Sequence, residues 1–172
     1  MAITELEKPP GVWCPHRAAD AGCTIHGRHP HSCRVFNCQW LLDEALPFKL
    51  RPDQTKVVLT SDEDGRRLVA NCDPANAMAW RREPIYAHLK GQARATWSAG
   101  LRVFAKAGRR HWLIAPAQDI DMGEVDDRTP FQIQDGPDGV QVIFLPPIAE
   151  GEDRQAAVER LRDERLGRRA AS

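Results

Sequence analysis

The 172-residue sequence predicts an α+β protein in which an irregular cysteine-rich module docks on antiparallel β-hairpins packed against one main helix, with a further helix at the C-terminal end. Three observations lead there. Four of the five cysteines and four of the six histidines crowd into residues 13–40, "WCPHRAADAGCTIHGRHPHSCRVFNCQW". Beyond residue 48, short β-branched and apolar runs alternate with turn-forming clusters. Among them, one segment repeats apolar residues every four positions.

Residues 1–10 read as an extended lead, because the prolines of "KPPG" fix two backbone φ angles and remove amide donors. Residues 11–46 form the cysteine module, where Gly11, Pro15, Gly22, Gly27 and Pro30 interrupt every periodic pattern. It carries too few apolar residues for a core of its own, so an external staple is expected. The module ends in "CQWLLDEALP", a short helical turn stopped by Pro47.

Residues 47–149 are expected to form the α+β domain. "KVVLT" and "RRLVANC", joined by "SDEDG", predict a first hairpin. Asp73 is placed to cap a helical turn that begins at Pro74. Ile85, Leu89, Ala93 and Trp97 predict the main helix over about residues 84–98, with Gly100 as its stop. "LRVFAK" and "HWLIAP" flank "AGRR", and "FQIQ" and "GVQVIFL" flank "DGPD", giving two more hairpins. "TSDEDG" and "DIDMG" lack the acids that a calcium loop needs and read as turns. Residues 150–172 are expected to be a charged helical tail with a thin apolar stripe at Ala157, Val158 and Leu161, ending at Gly167.

The formal net charge is zero, which gives no global attraction to nucleic acid or to a membrane surface. "MAITELEKPPGVW" has neither a basic nor an apolar leader region, and no apolar run approaches bilayer length. A reducing cytoplasm is the compartment expected on these grounds, and disulfides are rare there. Clustered cysteines in that setting more often ligate metal or carry redox chemistry.

The cysteine spacing is Cys14-x8-Cys23-x9-Cys33-x4-Cys38. Four thiolates close a tetrahedral zinc site with no open position, and they also suffice for an iron–sulfur cluster. Arg17, Arg28 and Arg34 are placed to offset the negative charge of four thiolates. Trp13, Phe36 and Trp40 are expected to shield the sulfurs and to anchor the module on the domain. His16, His26, His29 and His31 are read as exposed loop residues or donors to sulfur, with a ligand role as the alternative. A nucleophilic cysteine would need a neighbouring base such as His16 and an unengaged thiolate, and metal ligation removes the latter. Cys72 alternates with Leu68 and Ala70 and reads as a buried core residue.

"GCTIHGRHPHSCRVFNCQW" resembles the second half of the YkgJ-type zinc- or iron-chelating cysteine-cluster family. Gly22, Cys23, Ile25, Pro30, Cys33, Arg34, Phe36, Cys38 and Trp40 fall on positions of its pattern G-C-x-I-Y-x-x-R-P-x-x-C-R-x-F-x-C-x-W. His26 stands where tyrosine is usual, and His29 where arginine is usual. The family's opening C-x2-C-x2-C-C is missing, with only Cys14 in that neighbourhood. The resemblance implies a bound zinc or iron ion, or an iron–sulfur cluster, and no particular reaction.

No P-loop, G-x-G-x-x-G, H-E-x-x-H or G-x-S-x-G motif occurs, so the sequence points away from an enzyme. One charge asymmetry stands out. Residues 81–110 carry eight Lys/Arg against Glu83, and residues 119–135 carry six Asp/Glu against Arg128. Mutual neutralisation within the fold is the favoured reading. The expectation is therefore a small cytoplasmic protein whose zinc sits on Cys14, Cys23, Cys33 and Cys38. An iron-dependent or iron–sulfur redox protein using the same cysteines is the alternative. A zinc-stabilised adaptor for an acidic protein partner or nucleic acid, acting through residues 81–110, is a further one.

Overall fold

The computed structural model describes residues 3–9, 12–18, 22–62, 65–126 and 129–148, and from the C-terminal segment 153, 155–157, 159, 160 and 163. The chain is a mixed α/β protein with two sheets and few helices. After the short helices α1 (His31–Val35), α2 (Gln39–Leu42) and α3 (Pro52–Thr55), β1 (Val57–Ser61) and β2 (Arg67–Cys72) form the first expected hairpin. After β2 the main helix α4 (Ile85–Thr96) crosses over, and β3 (Arg102–Ala107) pairs with β2 in parallel. β4 (Arg110–Ile114) then returns antiparallel to β3, completing a second hairpin. The third hairpin, β6 (Phe131–Gly136) and β7 (Gly139–Phe144), is a separate two-stranded sheet.

Two features depart from the expectation. "DIDMG" is not a turn: β5 (Asp119–Glu124) is a full edge strand of the five-stranded sheet β1-β2-β3-β4-β5. Its strand state comes from pairing with β4 and from Met122 and Ile120 packing under the second sheet, not from local propensity. The parallel β2–β3 pair is likewise not a hairpin, since α4 supplies the long connection that parallel strands need.

The layers follow from alternation along the strands. On one face, Val57, Leu59, Leu68, Ala70, Cys72, Val103, Ala105, Trp112 and Ile114 pack with Trp80 and with Ile85, Leu89 and Ala93 of α4. On the other, Phe104, Leu113 and Met122 lie beneath Phe131, Ile133, Val140 and Val142 of β6 and β7. The central strand β3 is buried on both faces at Val103, Phe104 and Ala105. Asp73 caps a 3-10 turn at Pro74–Asn76, its Oδ1 accepting from the Ala75 amide at 3.0 Å.

The opposed charges at 81–110 and 119–135 meet across this sheet. Lys90, buried on α4, donates to Asp119 at 3.2 Å and to the Ala115 carbonyl at 2.5 Å. Asp119 also accepts from Tyr86 Oη at 2.9 Å and lies 3.7 Å from Arg81. Arg110 pairs with Asp121 at 2.6 Å, and Arg109 with Asp126 at 3.4 Å and Glu124 at 3.9 Å.

The lead is not extended over its described part. Ile3 and Lys8 bridge around a 3-10 turn at Thr4–Leu6, and Ile3 is buried. At the other end, residues 155–157 are helical with Ala157 buried, while Val158, Leu161 and Gly167 lie outside the described residues.

Candidate metal centre

The described residues of 12–46 are built from turns and short helices closed by backbone bonds rather than from a core. The Arg17 amide donates to the Cys14 carbonyl at 3.1 Å, and Arg17 then bridges Cys23 antiparallel. The Thr24 amide donates to the His16 carbonyl at 2.9 Å, which holds the Cys14 and Cys23 loops side by side. Gly22 and Gly27 sit at φ +110° and +88°, conformations that glycine adopts without a Cβ penalty. Cys33 lies in α1 (His31–Val35), and Cys38 caps α2 (Gln39–Leu42), its carbonyl accepting from Leu41 at 2.9 Å. Of all described side chains in 12–46, only that of Cys38 belongs to a buried residue.

Glu5 reaches this module from the lead, a link that no local sequence pattern signals. Its carboxylate accepts from Ser32 Oγ at 2.6 Å and from the Ser32 amide at 3.0 Å, one residue before Cys33. These bonds, the side-chain one foremost, hold the Glu5 carboxyl down at about 2.

Cys14, Cys23, Cys33, Cys38 and Cys72 are all free thiols. The Cys33 thiol is pushed up first by loss of solvent and then by the neighbouring Cys14 and Cys23 sulfurs, with Glu5 adding to the effect. Cys14, Cys23 and Cys33 are therefore electrostatic neighbours, whereas Cys38 is not among the main influences on Cys33. Even so, among the described residues no group of three or more Cys, His, Asp or Glu side chains is placed so that it could hold a metal ion. The two statements concern different ranges. Charges interact over several ångströms, while sulfurs around a tetrahedral zinc stand about 3.8 Å apart, given Zn–S bonds of about 2.3 Å. The Cys14 and Cys23 loops adjoin and Cys33 lies within electrostatic range of both, but no three described thiols stand at ligand distance.

The histidines divide. The His29 ring stacks on His26 with centroids 5.4 Å apart, and His29 Nδ1 accepts from the Gly27 amide at 3.1 Å. That bond places the neutral ring's proton on Nε2, which makes Nε2 a hydrogen-bond donor in this arrangement and not a metal ligand. His16 contributes its carbonyl to the loop contact, and His31 is exposed at the start of α1. Arg34 is exposed in the last turn of α1.

The tryptophans do not act alike. Trp13 is 59% exposed with the Arg17 guanidinium 4.2 Å above its ring, so it does not anchor the module. Trp40 is half-buried and edge-on to Phe48 at 6.2 Å. The docking contact is polar as well as apolar: Gln39 donates to Ser61 Oγ of β1 at 2.9 Å. Asp43 and Leu46 of the module then face Leu68 and His88 across a cleft of about 280 Å3. Burial holds the His88 imidazole below its ordinary range, opposed by the Asp43 carboxylate.

Cys72 stands apart in the main core. Burial pushes its thiol up to about 11, and its Sγ donates to the Ala70 carbonyl at 3.8 Å. No helix among the described residues is long and apolar enough to cross a membrane. No protein-family model, curated protein or solved structure matches the chain.

Proposed function

We propose that this chain is a metal-binding protein whose N-terminal module is held by zinc in a structural role. Cys14, Cys23 and Cys33 would be its first three ligands, and Cys38 its fourth. The observation that carries the reading is the pair of adjoining loops that bear the free thiols Cys14 and Cys23, with Cys33 within electrostatic reach of both, in a segment where Cys38 is the one buried residue among those described. Such a segment has little to hold it except cross-links between its loops. Thiolates are the donors that suit zinc, and a four-sulfur set leaves no position for a reacting water. Because the described part of this segment is closed by local turns and buries almost no side chain, drawing the sulfurs to ligand distance would cost little packing, and the binding free energy becomes folding free energy.

The resemblance of residues 22–40 to the zinc- or iron-chelating cysteine-cluster family supports the same reading, through Cys23, Cys33 and Cys38. Iron, alone or as an iron–sulfur cluster, would take the same thiolates. The adaptor reading draws less support, because Arg81, Lys90, Arg109 and Arg110 are engaged by Asp119, Asp121, Glu124 and Asp126.

The test is to purify the protein anaerobically and measure zinc, iron and sulfide in the parent and in Cys14→Ser, Cys23→Ser, Cys33→Ser, Cys38→Ser and Cys72→Ser. The reading expects zinc in the parent and in Cys72→Ser, and its loss in Cys14→Ser, Cys23→Ser and Cys33→Ser. Retention in Cys38→Ser alone would move the fourth position to one of the module's histidines, His16, His26, His29 or His31, each replaced in turn. Brown protein with iron and sulfide would replace zinc by a cluster. Full metal content in Cys33→Ser would end the proposal.

A further inference from the structure

Apart from the cysteine module, a groove of about 220 Å3 opens between the main sheet and the β6–β7 hairpin. Arg66, Arg67 and Arg102 line it, with Phe104, Phe131 and Ile133 as its apolar part. The arginines meet there because β2 and β3 run parallel and in register from their first residues, Arg67 opposite Arg102. Register partners share one face of a sheet, and like charges placed so repel each other.

Little in the described chain relieves that repulsion. Among the described residues the one carboxylate paired with these arginines is Asp62, 3.7 Å from Arg67. Asp135, nearby, accepts from the Trp97 indole at 3.2 Å. Arg102 donates through one terminal nitrogen to the Trp97 and Leu101 carbonyls, its guanidinium 3.9 Å above the Trp97 ring, and its other donors meet no acceptor among the described residues. Arg66 and Arg67 are exposed, and the Arg67 guanidinium stands 5.9 Å from the centre of the Phe131 ring. Glu63 and Asp64, in the preceding turn, lie outside the described residues.

We propose that this groove binds a small organic anion, a phosphate or carboxylate joined to a flat ring, with Arg66, Arg67 and Arg102 on the anion and Phe131 against the ring. Planar guanidinium forks match both oxyanions, and the aromatic wall gives the ring a surface to stack on. The groove is small for a ligand pocket, which favours a compact molecule over a polymer.

The test titrates the full chain at low salt with phenyl phosphate, benzoate, inorganic phosphate and oligothymidylate, by calorimetry. Phenyl phosphate or benzoate should bind, and whichever binds tighter identifies the anionic group. The ring-bearing phosphate should exceed inorganic phosphate by about fivefold to tenfold. Arg67→Gln and Arg102→Gln should each weaken binding by about tenfold, and Phe131→Leu should erase the advantage of the ring. Arg67→Gln and Arg66→Gln alter exposed side chains, so they remain informative if Phe131→Leu or Arg102→Gln fails to fold. Absence of binding by both ring-bearing anions, or affinities unchanged in Arg66→Gln and Arg67→Gln, would overturn the site. Equal affinity for phenyl phosphate and inorganic phosphate would overturn the role of the ring, and binding of oligothymidylate alone would overturn the small-ligand assignment.

Discussion

Asp119→Ala removes the acceptor that holds three groups at the junction of α4 and the sheet edge. Lys90 and Asp119 are each about nine-tenths buried as side chains, so neither charge is met by bulk water. In the variant, the Lys90 ammonium keeps the Ala115 carbonyl and loses its counter-charge. Leaving one partner of a buried pair uncompensated costs about 3–5 kcal/mol. The Tyr86 hydroxyl is partly exposed and finds water, and the Arg81 side chain is half exposed, so neither adds much. At about 2–4 °C per kcal/mol for a chain of this size, the melting temperature should fall by roughly 6–20 °C. Urea unfolding followed by circular dichroism should show the loss as a lower midpoint at constant slope. Replacing both partners, as in Lys90→Met with Asp119→Leu, should recover most of it, because an apolar pair has no desolvation cost. A loss below about 1 kcal/mol in Asp119→Ala, or a double variant as weak as the single one, would refute the reasoning.

Other outcomes follow from the same physical terms. The Glu5 carboxyl is held at about 2 against an ordinary 4.5, so its grip on Ser32 is complete above about pH 4.5 and fades as pH falls toward about 2. The Ser32 amide, followed by nuclear magnetic resonance, should titrate near the lower value; a midpoint near 4.5 would remove the contact. Cys72, with its thiol pushed up to about 11 inside the core, should resist alkylation in the native metal-free protein at pH 8 while Cys23, which is exposed, reacts readily. Mass spectrometry of the alkylated peptides decides this, and equal labelling would contradict it. Leu89→Ala, which empties a fully buried position on α4, should cost about 2–5 kcal/mol in the domain. Metal content should be unaffected there, which separates the domain's stability from the module's.

What could be read from the chain in advance divides by the range of the interaction. The β1–β2, β3–β4 and β6–β7 hairpins and α4 were legible because their signals are local: β-branched runs around turn residues, and Ile85, Leu89 and Ala93 on one helical face. β5 was not, because Asp119, Asp121 and Glu124 depress strand propensity and find their partners in distant side chains such as Lys90, Arg110 and Arg109. The mirrored charge counts of 81–110 and 119–135 did signal that pairing, though not its register. The folding of residues 3–8 was hidden for the opposite reason. Proline predicts the local backbone, whereas the bonds that Ser32 donates to Glu5 come from a segment 27 residues away. At the cysteines, the residue types could be read and their proximity could not. Cys14 and Cys23 lie in loops closed by contacts such as Arg17 with Cys23, and Cys33 in the five-residue α1, and neither leaves a periodic trace. Trp13 likewise looked like an anchor by type and is instead covered by Arg17 on the surface.

The most direct measurement of the central claim is zinc content together with X-ray absorption at the zinc edge, on protein prepared without air or chelator. The account predicts one zinc per chain, surrounded by sulfur at about 2.3 Å, with the sulfur count falling when Cys33 is replaced by serine. A chain that carries no metal, and whose residues 12–46 resist proteolysis equally with and without a chelator, would contradict it.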